Sequence, residues 1–260
     1  MARQKLGQHF LIQSSVLDRI AAAVCPARED LVIEIGPGRG ALTERLLERA
    51  ARVIAVEIDS ALVDHLRRRF AGRANLEIVH ADVLATDLGQ WGRAALAGNL
   101  PYYITSPILE KTAALGDSIS RAVFLVQKEV AERLVAQPGE RAYGYLTVAM
   151  ALWAKTSMLF TVRPGAFRPP PEVDSAVVMM APRAAGIAAA DHDAFLRFVG
   201  LCFRMKRKTL RNNLAGTYGK ELVDSWPEAG RRAEQISLDG FLAMYRRIIA
   251  APEASISPSP

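Results

Sequence analysis

Short β-branched runs alternate with amphipathic stretches from Leu31 onward, and that cadence restricts the fold more than any other feature of the chain. Leu31-Val32-Ile33-Glu34-Ile35, Arg52-Val53-Ile54-Ala55-Val56, Leu76-Glu77-Ile78-Val79 and Ala122-Val123-Phe124-Leu125-Val126 read as strands. Ala41 to Ala50, Ser60 to Phe70 and Ser106 to Leu115 carry apolar residues at helical spacing, and a short further strand ends at Ala97-Gly98. Strands and helices in this order predict a mostly parallel, doubly wound sheet, an α/β fold. The pattern stops near residues 182–190, a linker-like stretch without strand period. Beyond it, Asp191 to Phe203, Lys206 to Leu214 and Ser237 to Ala250 are helical in period, with Asp191 and Ser237 in N-cap positions. The expected division is an α/β domain over residues 1–183 and a small all-helical domain over residues 184–260.

The first strand runs into Glu34-Ile35-Gly36-Pro37-Gly38-Arg39-Gly40. Glycines there permit positive φ and let a ligand reach the backbone where a helix begins. The third glycine comes one position too early for the dinucleotide fingerprint, and Pro37 removes an N–H that a pyrophosphate cradle would use, which disfavours a hydride-transfer cofactor. Glu57 ends the second strand, placed to accept hydrogen bonds from both hydroxyls of a ribose, and Asp82 follows the third, suited to an adenine amino group. Taken singly, each acid is equally a solvated loop end. Successive strand ends bearing acids beside a glycine turn favour a nucleoside site. Ribose and adenine without phosphates fit S-adenosylmethionine, and Glu-x-Gly-x-Gly-x-Gly is similar to the pattern of class I methyltransferases.

Charge indicates the partner class. The 260 residues hold 33 Lys+Arg against 27 Asp+Glu, a net charge of +6, which suits a polyanion without naming it. No apolar run approaches the ~20 residues of a membrane span, and the first residues lack the apolar core of a secretory leader, so no membrane partner and a cytoplasmic address are expected. Cys25 and Cys202 stand far apart and form no CxxC half-site, so neither a metal nor a disulfide framework is expected. Five cations crowd eight positions: Arg204, Lys206, Arg207, Lys208 and Arg211. On a helix they would surround the cylinder while Leu210 and Leu214 turn to the core. Such a run serves either as solvated surface or as a phosphate contact.

Asn99-Leu100-Pro101-Tyr102 follows the fourth strand. Methylating an exocyclic amine of a base is hard because its lone pair is delocalised into the ring. The Asn99 amide oxygen and the Leu100 carbonyl are placed to accept from that amine and draw its lone pair toward a methyl group. Pro101 stiffens the turn and Tyr102 offers a ring for stacking on the base. In isolation the tetrapeptide is equally a β-turn; behind a cofactor-binding half of this order it reads as the catalytic centre. Phe167, before three prolines, is an apolar anchor on a stiff segment or a buried residue packing the next strand.

These segments together resemble the small-subunit (16S) ribosomal RNA adenine N6,N6-dimethyltransferases over nearly the whole chain. The resemblance is carried by Gln4 to Leu11, Glu34 to Gly40, Gly98 to Tyr102, Val126 to Ala131, Ala142-Tyr143-Gly144 and Phe167 to Val178. It implies that His9, Leu11, Gly36, Gly38, Glu57, Asp82 and Asn99 contact S-adenosylmethionine. It also implies that Asn99, Leu100 and Tyr102 carry the chemistry, and that Phe167 sandwiches the target adenine against Tyr102. Position 9 is often Asn in that family, and His can keep a polar contact there. Arg-Lys-Thr-Leu-Arg-Asn within the basic run implies contact with rRNA phosphates. The implied reaction is dimethylation of two adjacent adenines in a 3′-terminal hairpin loop of 16S rRNA during small-subunit biogenesis, by a monomer. Two alternatives share parts of the pattern: a 23S rRNA adenine N6-methyltransferase of the macrolide-resistance type, and a non-catalytic RNA-binding assembly factor.

Overall fold

The computed structural model describes residues 9–183 and 186–250; the part of the resemblance carried by Gln4 to Gln8 lies outside them. In chain order come β1 (Phe10–Leu11), α1 (Ser14–Val24), β2 (Glu29–Ile35), α2 (Ala41–Leu47), β3 (Ala50–Glu57), α3 (Ser60–Arg69), β4 (Leu76–His80) and β5 (Ala94–Asn99). Next are α4 (Thr105–Ala114), β6 (Ile119–Gln127), α5 (Lys128–Val135), α6 (Tyr145–Trp153), β7 (Ala154–Val162), β8 (Phe167–Arg168) and β9 (Ser175–Pro182). The chain continues through α7 (His192–Phe203), α8 (Leu210–Tyr218), α9 (Lys220–Asp224) and α10 (Leu238–Ala250).

Seven strands form one sheet in the order β4-β3-β2-β5-β6-β9-β7. β4, β3, β2, β5 and β6 pair in parallel, and β9 lies antiparallel to β6. The central strands read as near-continuous apolar runs because they are buried on both faces: Val32, Ile33 and Ile35 of β2 and Val53, Ile54 and Val56 of β3 are all buried. The winding reverses between β2 and β5, which opens a crevice at their carboxyl ends. α2 stops at Leu47, earlier than its spacing suggested, because Ala50 is needed as the first ladder residue of β3, opposite Glu29.

Contacts divide the chain into two compact units. One holds residues 9–131 with Lys155–Pro182; the other holds Glu132–Ala154 and the described residues from Arg183 onward. Spacing alone predicts one crossing, at 183/184; residues 132–154 make a further excursion into the second unit. Its cause is packing. Tyr143, Val148 and Leu152 enter the same core as Phe195, Phe198 and Phe241, and the Tyr143 hydroxyl donates to the Ile236 carbonyl at 2.7 Å.

The basic run corrects a second expectation, since residues 204–209 form bends and turns rather than a helix and α8 starts only at Leu210. The reason is Asn213, 1% exposed. Its amide Nδ2 donates to the carbonyls of Cys202 (2.8 Å) and Met205 (3.3 Å), and its Oδ1 accepts from the Met205 N–H (3.2 Å). A side chain from the first turn of α8 thus satisfies backbone groups that the end of α7 leaves open. Among the described residues, no helix is long and apolar enough to cross a membrane, and no cluster of three or more His, Cys, Asp or Glu could hold a metal. Cys25 and Cys202 are buried free thiols.

Candidate active site

The crevice is a cleft of about 580 Å³ at the carboxyl ends of β2, β3, β4 and β5. Its wall contains His9, Leu11, Gly36, Gly38, Glu57, Asp82, Asn99, Leu100 and Tyr102. Segments far apart in sequence, from His9 to Arg168, therefore meet at one site.

The glycine turn has φ of +65° at Gly36 and +81° at Gly40, a region that L side chains rarely adopt. The two glycines serve different ends. A Cβ at Gly40 would come within 2.5 Å of the Phe70 ring, so this glycine permits close packing. A Cβ at Gly36 would meet nothing within 4 Å, so here bare backbone faces the cleft, as a ligand cradle requires.

Glu57 is 4% exposed and is fixed by three backbone N–H groups. Ile58 and Asp59 donate to Oε1 at 2.9 and 3.0 Å, and Gly38 donates to Oε2 at 3.1 Å. The acid at the end of β3 is thereby tied to the glycine turn. Of roughly four acceptor positions on a carboxylate, one remains for a ligand hydroxyl, so two ribose hydroxyls would have to share it. Asp82 Oδ1 accepts from the Leu84 N–H at 2.8 Å. The donor set and the open backbone at Gly36 fit a nucleoside that lacks phosphates.

Below this lies Glu34, 2% exposed, whose Oε2 accepts from the Thr43 hydroxyl at 2.6 Å. Burial pushes its carboxyl up to about 7; the Thr43 hydrogen bond opposes the rise and the nearby Glu57 carboxylate adds to it.

Asn99 ends β5. Its Nδ2 donates to the His9 carbonyl at 2.8 Å, which assigns the amide and leaves Oδ1 as the available acceptor. The Leu100 N–H donates to Leu125 O at 3.0 Å, fastening the turn to β6. Tyr102 shares a 2.8 Å hydrogen bond with the hydroxyl of Ser175, itself fully buried at the start of β9. Burial raises the Tyr102 phenol above its ordinary value, against the pull of Ser175, so it stays protonated at neutral pH. The His9 ring lies against that of Tyr102, with centroids 5.8 Å apart and planes 28° apart, and its Nδ1 is 2.9 Å from Pro169 O.

Phe167 is a correction. It is 2% exposed, pairs with Leu11 across the β8–β1 ladder and packs in the core with Val162, Ala166 and Val177. It is absent from the cleft wall, so it does not sandwich a base against Tyr102. The buried alternative holds because the ring packs into the core that Leu11 shares. In the other unit Arg204, Lys206, Arg207, Lys208 and Arg211 are exposed, but Arg211 is ion-paired with Asp224, which leaves the turn rather than the helix as the strongest cationic feature.

Sequence reasoning missed Phe10, Ile58, Val83, Tyr103 and Ser175. Phe10 lies under Gly38 with the Arg39 guanidinium over its ring at 4.8 Å. Ile58 is 53% exposed and Val83 is buried, and both line the cleft beside the two acids. An apolar residue directly after each strand-end acid is a usable signal for a nucleoside face; nothing local marks Ser175.

The family model described as ribosomal RNA adenine dimethylase matches residues 1–248. The Geobacter metallireducens protein named ribosomal RNA small subunit methyltransferase A is 42% identical over 96% of each chain. The protein of that name from Ralstonia nicotianae is 40% identical over 99% of this chain and 94% of its own. Among solved structures, a dimethyladenosine transferase from Plasmodium falciparum superposes with a TM-score of 0.81 at 28% identity, covering 93% of this chain and 98% of that one. The 23S rRNA methyltransferase ErmE gives 0.75 at 27%, covering 92% and 99%. Every wall residue of the cleft lies inside the matched segment, and the chain belongs to the ribosomal RNA adenine dimethylase family.

Proposed function

We propose that this chain transfers methyl groups from S-adenosylmethionine to the N6 amines of two adjacent adenines in a 3′-terminal hairpin of 16S rRNA, acting as a cytoplasmic monomer during small-subunit assembly. The observation that carries the reading is the fixed Asn99 amide. With Nδ2 held by the His9 carbonyl, Oδ1 presents an acceptor at the cleft wall, which is what an exocyclic amine needs. Accepting an N–H from that amine localises its lone pair and points it away from the ring. The phenol of Tyr102 is pinned by Ser175, so its ring gives the base a surface of fixed orientation.

Gly36, Gly38, Glu57 and Asp82 would hold the nucleoside of S-adenosylmethionine. When bound, that cofactor supplies an electrophilic methyl carbon on a sulfonium. The protein's part is alignment and exclusion of water. No strong general base is required, because the amine loses its proton readily once the new C–N bond forms, and the protonated Tyr102 is no base. The exposed Arg204, Lys206, Arg207 and Lys208 supply phosphate contacts, with Arg211 shared with Asp224. The small subunit is favoured over the large one by the 40–42% identity to proteins named for the former, against 27% to ErmE.

Reverse transcription across 16S rRNA from a strain lacking the gene tests the assignment. The expected result is loss of the stop that dimethylated adenines impose, restored by the wild-type gene. An unchanged stop refutes it, and a changed stop in 23S rRNA instead moves the activity to the large subunit.

A further inference from the structure

Four of the large apolar side chains exposed among the described residues crowd the cleft: Ile12 (48%), Ile58 (53%), Leu84 (36%) and Tyr103 (62%). Exposed apolar groups gathered around one opening mark a binding surface rather than scattered solvent contacts. Ile58 and Leu84 stand next to Glu57 and Asp82, on the cofactor side. Tyr103 belongs to the other side, following the residues that face the target base, and it is the aromatic member of the four.

The turn that carries it is held firmly. The Ile104 N–H and the Thr105 hydroxyl both donate to the Pro101 carbonyl, at 3.2 and 3.1 Å, closing a 3₁₀ turn over Tyr102–Ile104. With about three residues per turn, successive side chains diverge by roughly 120°. Tyr102 is anchored to buried Ser175, so Tyr103 is directed elsewhere and stands largely in solvent at the mouth. Two aromatic rings on consecutive residues, one anchored and one outward, suit two neighbouring nucleotides that have come out of a stack and splay apart. The guanidinium-bearing Arg39 and Arg168 on the same wall complement the backbone between them.

We propose that Tyr103 is a specificity-determining stacking platform for the unpaired nucleobase next to the target adenine, so that the site engages both bases while methylating one. This rests on the RNA-adenine reading above. A π-face accepts any base, so Tyr103 selects for an unpaired neighbour rather than for its identity.

The test is steady-state methylation of unmethylated small ribosomal subunits by Tyr103→Ala, Tyr103→Phe and Tyr103→Trp, with S-adenosylmethionine affinity measured alongside. Expected for Tyr103→Ala is a rise of about five- to 150-fold in KM for subunits, the range that ~1–3 kcal/mol of stacking converts to, with kcat and cofactor affinity within about twofold. Phe and Trp should restore KM because they keep the ring. A KM within twofold of wild type for Tyr103→Ala overturns the proposal. So does an equal loss in Tyr103→Phe, which would assign the effect to the hydroxyl, or a parallel loss of cofactor affinity. Wild-type protein that transfers no methyl to subunits would instead refute the function itself.

Discussion

The cleft and the basic turn answer opposite demands with opposite means. At the cleft, backbone geometry does the work: a glycine with φ of +65° clears the wall, a strand-end acid is fixed by three N–H groups, and an asparagine amide is oriented by a carbonyl ninety positions away. At residues 204–208 the side chains are exposed, and one buried amide, that of Asn213, sets the course of the chain beneath them. Catalytic positioning has to be right within a fraction of an ångström, whereas phosphate contact tolerates flexible cations. Damage at the first region should therefore be read in turnover or cofactor affinity, and damage at the second in salt-dependent RNA affinity.

Phe167 gives the largest expected effect and sharpens the line between cleft and core. Phe167→Ala should destabilise the fold by about 3–5 kcal/mol, measured by thermal or urea unfolding, because it empties a buried site in the core. Phe167→Leu should recover most of the stability, and the RNA affinity of the folded protein should stay near wild type in both variants. A stable Phe167→Ala protein with weakened RNA binding would return the ring to the cleft.

Glu34 comes next. Burial lifts its carboxyl from 4.5 to about 7, so in that window the folded chain holds a proton that the unfolded chain has released. Stability fully present below pH 4.5 is thus lost as pH rises through about 7, by up to about 3 kcal/mol. Glu34→Gln stays neutral and keeps an oxygen for Thr43. Its Tm should gain on that of wild type between pH 5 and pH 8, and a difference independent of pH would contradict the assignment.

The smallest effect belongs to the basic turn. Replacing Arg207 and Lys208 with Gln should weaken RNA binding about equally across sequences and reduce the salt slope by about one to two units, with methyl transfer at saturating RNA nearly unchanged. An unchanged slope would leave these cations as solvated surface.

What was legible in the sequence follows the same division. Gly36, Glu57, Asp82 and Asn99 are visible because each residue type meets a local backbone requirement at a strand end, and all four line the one cleft. Phe167 is decided by a partner far away in sequence, Leu11, and the course of residues 204–209 by one nearby side chain, Asn213, whose burial helical spacing does not single out. The excursion of residues 132–154 is of that kind too, since helical periodicity marks an apolar face without saying which core receives it. Ser175 escaped notice because a serine at the start of a strand has no pattern, yet it anchors Tyr102.

The orientation of one amide is the centre of the account, and Asn99→Ala measures it. Purified wild-type and Asn99→Ala proteins are given S-adenosylmethionine and unmethylated small subunits, and N6,N6-dimethyladenosine is counted by mass spectrometry beside the affinity for subunits. The expected result is a fall in kcat of at least about a hundredfold with subunit affinity within about twofold of wild type. Methyl transfer retained at the wild-type rate would contradict the role assigned to Asn99 and, with it, the reading of the cleft.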